Sequence, residues 1–92
     1  MKYEIKFTSQ FKKDLKKAKK QHKNLDKLFD TVEKIANGKK LDASYYDHEL
    51  TGDYVGTREC HIEPDWLLIY CYIHNQLVLV CSRTGTHSDL FG

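Results

Sequence analysis

The stretch from residue 66 to residue 83, WLLIYCYIHNQLVLVCSR, decides the fold of this chain. It contains two apolar runs, residues 66–73 and 77–83, which three polar residues separate by the length of a hairpin turn. A third stretch, residues 54–62, which is more polar, precedes them across the short turn EPD. Apolar runs of this length, rich in β-branched and aromatic residues and bounded by turn residues, are typical of strands. The C-terminal half is therefore predicted to form three antiparallel strands.

The middle strand of the three has two chemically different faces. Alternation along a strand predicts that one face carries Leu67, Ile69, Cys71 and Ile73. The other face then carries Trp66, Leu68, Tyr70 and Tyr72. We expect the first set to face a helix-covered core. This leaves the second set as an aromatic, partly polar face with a different role.

The N-terminal residues predict one strand and a helical hairpin. Residues 3–7, YEIKF, alternate apolar or aromatic side chains with charged ones, as a half-buried strand does. Thr8 and Asn24 each precede an amphipathic stretch and offer an N-cap oxygen. We expect the two helices to meet near His22 and the second to end at Gly38.

This order of elements, β-α-α-β-β-β, predicts an α+β fold in a single domain over residues 1–92. The predicted sheet has four mostly antiparallel strands, and the helical hairpin covers one of its faces. Residues 41–52 show no periodicity and are predicted to form a loop. Arg83 shares its strand parity with Cys81, so we expect a twist or bulge near Ser82 to turn it away from the core.

Composition indicates the cellular compartment in which we expect the protein. There is no apolar run long enough to cross a membrane and no apolar leader at the N-terminus, so we expect a cytoplasmic protein with no membrane partner. The three cysteines, at positions 60, 71 and 81, lack CxxC spacing. We expect them to be free thiols in the core, as a reducing compartment allows, rather than a disulfide framework or a zinc site.

Charge is divided unevenly along the chain. Residues 1–40 carry 13 lysines against five acids, whereas residues 41–92 carry two arginines against eight acids and four of the five histidines. A lysine-rich helical surface indicates a polyanionic or acidic partner. A merely solvated helix face would have the same composition, so charge alone leaves both interpretations open.

The residues that could carry chemistry lie near the open face of the sheet. They are His48, His61, Asp65, Arg83 and His87. Cleavage of an RNA phosphodiester needs a base for the 2′-OH proton, an acid for the 5′-oxygen and a fixed cation for the transition state. Histidine serves as acid or base near neutral pH, and arginine grips phosphate oxygens. The set therefore matches this reaction.

Each of these residues also has an ordinary structural explanation. His61 could be a half-buried residue bonded to Glu59 or Asp65, and Arg83 could pair with one of the acids. A metal site made of His48, His61 and Asp65 is conceivable, but nothing in the spacing favours it. Strand aromatics such as Trp66 more often pack than stack on bases.

Three motifs together carry a resemblance to a known family. They are YDHELTG (residues 46–52), GTRECHIEPDWLLIY (residues 56–70) and RTGTHSDLFG (residues 83–92). They resemble the YafQ branch of the RelE/ParE toxin superfamily, and the resemblance extends over the whole chain. Members of that branch are toxins that cleave mRNA in the ribosomal A site and are silenced by a cognate antitoxin.

The resemblance implies a RelE-type fold and a set of site residues. Active-site positions of the family fall on His48, His61, Asp65, Arg83, His87 and Phe91. Phe91 is the implied contact to an RNA base, with Trp66 as a further candidate for such a contact, and we expect neither a metal nor a cofactor. The helical hairpin would dock on ribosomal RNA, for which the candidate contacts are Lys12, Lys13, Lys16 and Lys17.

Two rival functions remain open. A pure binding protein of the same fold, as in the gyrase-inhibiting ParE branch, would have no use for three imidazoles around one arginine. An inactive member that only binds RNA or an antitoxin would keep the same residues. Among His48, His61, Asp65 and His87 the acid and the base are not fixed by sequence, although His87 is our preferred acid.

Overall fold

The three predicted C-terminal strands lie side by side at the centre of the sheet. The structure is a computed structural model that describes residues 2–92. Across the sheet the strands run in the order β1 (Glu4–Phe7), β5 (Val78–Gly85), β4 (Trp66–Ile73), β3 (Arg58–Glu63) and β2 (His48–Glu49). β1 is parallel to β5, and the other neighbours are antiparallel.

The predicted α+β class is confirmed, with one strand more than expected. The fifth strand, β2, is only two residues long and lies within the stretch predicted to be a loop. It forms because His48 and Glu49 pair with the start of β3. The rest of that stretch contains one short 3₁₀ turn, Ala43–Tyr45, and a second, Gly52–Tyr54, begins at its last residue. The following strand, predicted from residue 54, therefore starts only at Arg58.

The helical hairpin begins where the sequence predicts. α1 (Ser9–Lys20) is capped by Thr8, whose Oγ1 accepts a hydrogen bond from Phe11 N at 3.0 Å. The same hydroxyl donates to the carbonyl oxygen of Ser82 at 2.8 Å, which ties the start of the helix to β5. α2 (Leu25–Ala36) is capped by Asn24, and the chain turns between the helices at His22.

The two faces of β4 are used in the opposite way to the prediction. Trp66, Leu68 and Tyr70 pack under the helical hairpin with Cys60 and Cys81. Leu67 and Ile69 lie on the other face, under Leu90. The prediction was wrong because two helices leave a deep space that suits large aromatic side chains, whereas the opposite face has only a thin cover. Trp66 is fully buried, so the structure does not support it as a contact for RNA bases.

The cover on that second face is a helix that the sequence did not predict. α3 (His87–Phe91) follows β5 directly, and its N-cap Thr86 forms a reciprocal capping box with Asp89. Leu90 is the one buried residue of this helix and seals Leu67 and Ile69. α3 therefore folds back over the sheet face and carries its first residue, His87, onto it.

The cysteines are free thiols, as expected for this composition. Cys60 and Cys81 are buried in the core and Cys71 is half-buried. Burial raises the pKa of the Cys81 thiol to about 12, and it raises the pKa of the Cys60 thiol still more. Within residues 2–92 there is no helix with the length and hydropathy needed to span a bilayer.

Candidate active site

Three of the candidate groups share one face of the sheet because of strand register. His48, Glu59, Ile69 and Arg83 are successive cross-strand neighbours on β2, β3, β4 and β5. His61 lies in the next row, opposite Leu67. Cross-strand neighbours point to the same side of a sheet. The face that carries His48, His61 and Arg83 is therefore the one that α3 partly covers.

A bulge in β5 brings Arg83 onto this face. Tyr70 pairs with Cys81 and Ile69 pairs with Arg83, so Ser82 is an extra residue in the ladder. Without it, Arg83 would follow Cys81 into the helix-covered core. The bulge predicted near Ser82 is confirmed, and it re-aims one side chain as bulges beside functional sites do.

Arg83 is held by an acid from the lysine-rich helix. Its Nε and Nη2 donate to the carboxylate of Asp14 at 2.9 and 3.3 Å, and Thr84 N donates to the same carboxylate at 3.1 Å. Asp14 is only 8% exposed. The hydrogen bonds and charge of Asp14 raise the pKa of the Arg83 guanidinium. Arg83 is thus a fixed cation that keeps one nitrogen, Nη1, outside this pairing.

Asp65 and His87 form a pair at the other side of the site. Asp65 lies in the turn between β3 and β4, and its Oδ1 is 2.6 Å from His87 Nδ1. The backbone N–H of His87 donates to the same oxygen at 3.0 Å. These two hydrogen bonds, the backbone one foremost, lower the pKa of the Asp65 carboxyl group. The ring of His87 is half-exposed, so its second nitrogen is accessible to a substrate.

Glu59, which the sequence offered only as a structural partner of His61, is a residue of the site. Its side chain is only 6% exposed, and its Oε1 lies 3.3 Å from His61 Nε2 and 3.9 Å from His48 Nε2. This buried carboxylate therefore lies against His61 and faces His48 at a longer distance. The sequence did contain a signal, because Glu59 and His61 are two positions apart on one strand and must share a face.

The two central imidazoles lie close together. The ring centroids of His61 and His87 are 5.5 Å apart, in an edge-on arrangement. Ligand atoms of Glu59, His61 and His87 all lie within 4.8 Å of one another, so these three groups could hold a metal ion. This set differs from the one considered in the sequence, since Asp65 is taken up by His87 and His48 lies on the far side of Glu59.

Aromatic rings border the site at two ends. Phe91 is 48% exposed at the end of α3 and packs edge-on against Tyr54 at 5.5 Å. Tyr46 is 69% exposed, and its ring lies 5.6 Å from that of His61. Tyr46 was not a candidate in the sequence, where it was only part of a motif.

The four candidate lysines do not have equal surroundings. Lys12, Lys13 and Lys16 are exposed on α1. Lys17 is also exposed, but its Nζ lies 2.6 Å from Asp89 Oδ1. The Lys17 contact and the hydrogen bonds at Thr86 lower the pKa of Asp89 to about 2. Lys17 therefore links α1 to α3.

Comparison with known proteins points to one family. Residues 3–92 match the family model described as the bacterial toxin of type II toxin–antitoxin systems, YafQ. The chain is 42% identical over 90 residues to the mRNA interferase toxin YafQ of Escherichia coli K12, a match that covers 97% of this chain and 96% of that protein.

Solved structures agree with this match. The chain is similar to the toxin in the crystal structure of the E. coli DinJ–YafQ toxin–antitoxin complex, with a TM-score of 0.88, 41% identity and full coverage of both chains. It is also similar to a metal-bound toxin from Helicobacter pylori, with a TM-score of 0.91 and 37% identity over 97% of this chain and 99% of that one.

Proposed function

The chain belongs to the YafQ family of bacterial toxins, and from that membership we propose how it performs its reaction. It is the toxin of a type II toxin–antitoxin system and an mRNA interferase, that is, an endoribonuclease. We propose that it cuts mRNA on the ribosome, without a metal ion, through attack of a ribose 2′-OH on the adjacent phosphorus. The observation that carries this mechanism is the approach of His61 and His87, whose ring centroids are 5.5 Å apart and each of which has a carboxylate partner.

The two imidazoles supply the two proton transfers. His61 takes the 2′-OH proton as the bond from the 2′-oxygen to phosphorus forms. His87 gives a proton to the 5′-oxygen as the bond between that oxygen and phosphorus breaks. The products are a 2′,3′-cyclic phosphate and a free 5′-hydroxyl group. One proton enters and one leaves the protein, so the cycle closes when the imidazoles exchange protons with water.

The assignment of the acid follows from Asp65. Because Asp65 bonds to Nδ1 of His87, it fixes the orientation of the ring and leaves Nε2 as the nitrogen that donates the proton. Asp65 itself does not need to touch the substrate. It is a positioning residue that acts through His87.

The assignment of the base follows from distance. His48 and His61 share the Glu59 carboxylate, so both are oriented for proton transfer. His61 is the one whose ring approaches His87. The cross-strand neighbours from His48 on β2 to Arg83 on β5 span three interstrand spacings of about 4.8 Å, so these two residues are roughly 14 Å apart. We therefore assign the base to His61 and place His48 at the outer border of the site.

Arg83 supplies the fixed positive charge. Asp14 holds two of its nitrogens, which orients the guanidinium before the substrate arrives. The remaining nitrogen faces the charge that develops on the phosphoryl oxygens in the transition state. A preoriented cation needs no rearrangement during the reaction, which is the source of its catalytic benefit.

The partners follow from the family and from the charge distribution. We propose that a cognate antitoxin silences this chain, as DinJ forms a complex with E. coli YafQ. We further propose that Lys12, Lys13 and Lys16 bind phosphates of ribosomal RNA. A substrate that is translated mRNA implies action in the cytoplasm. The uneven charge of the two halves of the chain supports this arrangement.

The test is cleavage of mRNA on purified, programmed ribosomes, followed by primer extension. His87→Ala should lower the rate by about 10²–10⁴-fold, the usual contribution of a general acid or base. Circular dichroism and antitoxin binding should stay at parent values, because the ring is half-exposed and supports no core contact. A variant that cuts at close to the parent rate would remove His87 as the acid. Cleavage products that lack a cyclic phosphate would contradict attack by the 2′-OH.

A further inference from the structure

Tyr46 is displayed in an unusual way beside the candidate active site. Its φ angle is 47°, in the left-handed region that bulky residues rarely adopt. Its side chain is 69% exposed and lies 5.6 Å from the ring of His61. Backbone strain of this kind persists only where the surroundings enforce it, and it is concentrated at functional sites. Neighbouring residues must therefore hold this ring in place.

The residue after Tyr46 anchors the loop. Asp47 Oδ1 accepts hydrogen bonds from Tyr70 OH at 2.6 Å and from Arg58 Nε at 3.2 Å. Tyr70 is only 1% exposed, so this anchor reaches into the helix-covered core. Burial, together with the Asp47 contact, raises the pKa of the Tyr70 phenol far above neutral, so it donates at every working pH. Asp47 therefore fixes the backbone on one side of Tyr46.

The next residue in the chain completes the restraint. His48 pairs with Glu59 in the β2–β3 ladder, and its Nδ1 lies 2.6 Å from the carbonyl oxygen of Tyr46. The left-handed turn at Tyr46 directs that carbonyl toward the imidazole. The same conformation thus orients His48 and presents the Tyr46 ring.

A cavity of about 550 Å³ opens next to the ring. α2 contributes Lys27, the 3₁₀ turn contributes Ser44 to its wall, and the end of β3 contributes residues 61–63. Because β2 pairs only with Arg58 and Glu59, the remaining outer edge of β3 lies open along this cavity. Its volume is within the range of roughly 300–1,000 Å³ that is typical of small-ligand sites.

The chemistry of this cavity suits a nucleobase. A base has a flat face and edges that carry N–H donors and carbonyl acceptors. The cavity offers the flat ring of Tyr46, the acceptors Asp42 and Glu63, the Ser44 hydroxyl and the cation Lys27. Lys27 and Glu63 are 3.8 Å apart, so their charges offset each other. An aromatic ring stacks on any base, and the polar wall can read its edge.

We propose that Tyr46 and this cavity form a subsite for the mRNA base next to the scissile phosphodiester. The subsite lies on the His61 side of the site, and Phe91 borders the opposite, α3 side. The cleaved dinucleotide is thus held by a ring at each end while the imidazoles act between them. This inference rests on the proposed function, since it needs RNA in the site.

The experiment compares substitutions that act on strain and stacking separately. Tyr46→Gly removes the ring and relieves the left-handed strain, so the protein should become no less stable. Its kcat/KM for mRNA on programmed ribosomes should fall by about 5- to 150-fold, the contribution of one stacked base. Tyr46→Phe keeps the ring and should stay within about threefold of the parent.

Matched controls come from the two other non-glycine residues with positive φ in residues 2–92. They are His22 and Leu77, with φ angles of 61° and 54°. His22→Gly and Leu77→Gly relieve the same kind of strain away from the site. Both should melt at or above the parent temperature and cleave at the parent rate. If they lose cleavage as Tyr46→Gly does, backbone flexibility rather than stacking is responsible, and the proposal fails.

A second measurement tests for the base directly. The mRNA is synthesised with an abasic nucleotide on either side of the cleaved bond. At one of the two positions, loss of the base should slow cleavage by the parent enzyme. The same loss should have little further effect on the Tyr46→Gly variant, because removing the base and removing the ring abolish the same interaction. Fully multiplicative losses at both positions would overturn the subsite. So would unchanged cleavage by Tyr46→Gly together with weakened antitoxin binding, which would make Tyr46 an antitoxin contact.

A binding measurement distinguishes failure of the proposed function from failure of the proposed subsite. If the parent protein does not cut, its affinity is measured for ribosomes programmed with mRNA that lacks the 2′-OH at the expected position. Weaker binding by Tyr46→Gly, with His22→Gly unchanged, would still support the subsite. Equal binding by both would overturn it.

Discussion

At the scale of single residues, the site is defined by which carboxylate lies against which basic side chain. Asp65 holds His87, Asp14 holds Arg83, and Glu59 lies between His48 and His61. Only Asp14 and Glu59 are buried. Buried carboxylates are retained when they are paired, so these two belong to the framework of the site. The exposed Asp65 can be changed without cost to the core, which makes it the better probe of mechanism.

Asp65→Asn should slow cleavage by less than about 10²-fold. This loss is smaller than that of His87→Ala, because the imidazole that transfers the proton is still present. Hydrogen bonds from His87 lower the pKa of the Asp65 carboxyl group, so the substitution replaces a carboxylate with a neutral amide beside the ring. The measurement is single-turnover cleavage at neutral pH. Asp30→Asn, at an exposed position on α2, is the matched control. An unchanged rate in Asp65→Asn would mean that Asp65 does not act through His87.

Metal ions should inhibit rather than assist this enzyme. The ligand atoms of Glu59, His61 and His87 lie within 4.8 Å of one another, and Zn²⁺ prefers such nitrogen and carboxylate donors. A bound ion would occupy the imidazole nitrogens that the proposed proton transfers need. We expect a chelator to leave the rate of purified toxin unchanged and micromolar Zn²⁺ to lower it. Loss of cleavage in chelator, restored by a divalent ion, would contradict the metal-independent mechanism.

At the scale of elements, the position of α3 sets the position of His87. Two of the contacts that hold this short helix are made by Asp89, which pairs with Lys17 and forms the capping box with Thr86. β5 approaches it closely, because a Cβ on Gly85 would lie 2.9 Å from Asp89 Cβ. Asp89 is therefore the point where α1, β5 and α3 meet.

Substitutions around Asp89 should move α3 without unfolding the sheet. Gly85→Ala forces the helix away from β5 and should reduce kcat while the far-ultraviolet spectrum is retained.

Asp89 should also make the stability of α3 depend on pH. The pKa of Asp89 is lowered to about 2, so the stabilising effect of its carboxylate is complete above the ordinary pKa of 3.8. That effect is lost as pH falls from 3.8 through about 2. Hydrogen exchange at the Leu90 amide should therefore increase over this window, and Asp89→Asn should show the faster exchange already at neutral pH. Equal protection of Leu90 in both proteins would show that Asp89 does not hold the helix.

The elements also show which parts of the fold and site can be predicted from sequence. Helix starts at Thr8 and Asn24 and the bulge at Ser82 were predictable, because caps and strand parity are local rules. The orientation of β4 was not, because both of its faces are apolar and alternation cannot tell which one the helices cover. β2 and α3 are two and five residues long, too short for any periodicity to indicate them.

The candidate site was predictable as a set of residue types but not as a set of pairs. His61, Arg83 and His87 were selected for their chemistry. The partner of Arg83, Asp14, lies 69 positions away on a helix otherwise rich in lysine. One clue was available, because Asp14 falls on the apolar stripe between Phe11 and Ala18, where an acid must find a partner.

At the scale of the whole molecule, the lysines proposed to dock the substrate and the groups proposed to act in catalysis occupy different surfaces. The exposed lysines of α1 lie on the helical hairpin, whereas His61 and His87 lie on the sheet face that α3 partly covers. Arg83 and Lys17 connect the two regions through Asp14 and Asp89. Changes to the free lysines should therefore alter binding, and changes to Lys17 should alter the site as well.

This separation gives a prediction about salt. Replacing Lys12, Lys13 and Lys16 by Gln should raise KM for programmed ribosomes and leave kcat unchanged. The slope of log affinity against log salt should fall by about 0.9 or less for each phosphate that the variant no longer neutralises. Helix formation should survive, because Gln and Lys have similar helix propensities. Lys17→Gln is the matched comparison on the same helix, and it should lower kcat by loosening α3 while changing the salt slope little. Lysines that act only as a solvated face would leave KM and the salt slope of the triple variant at parent values.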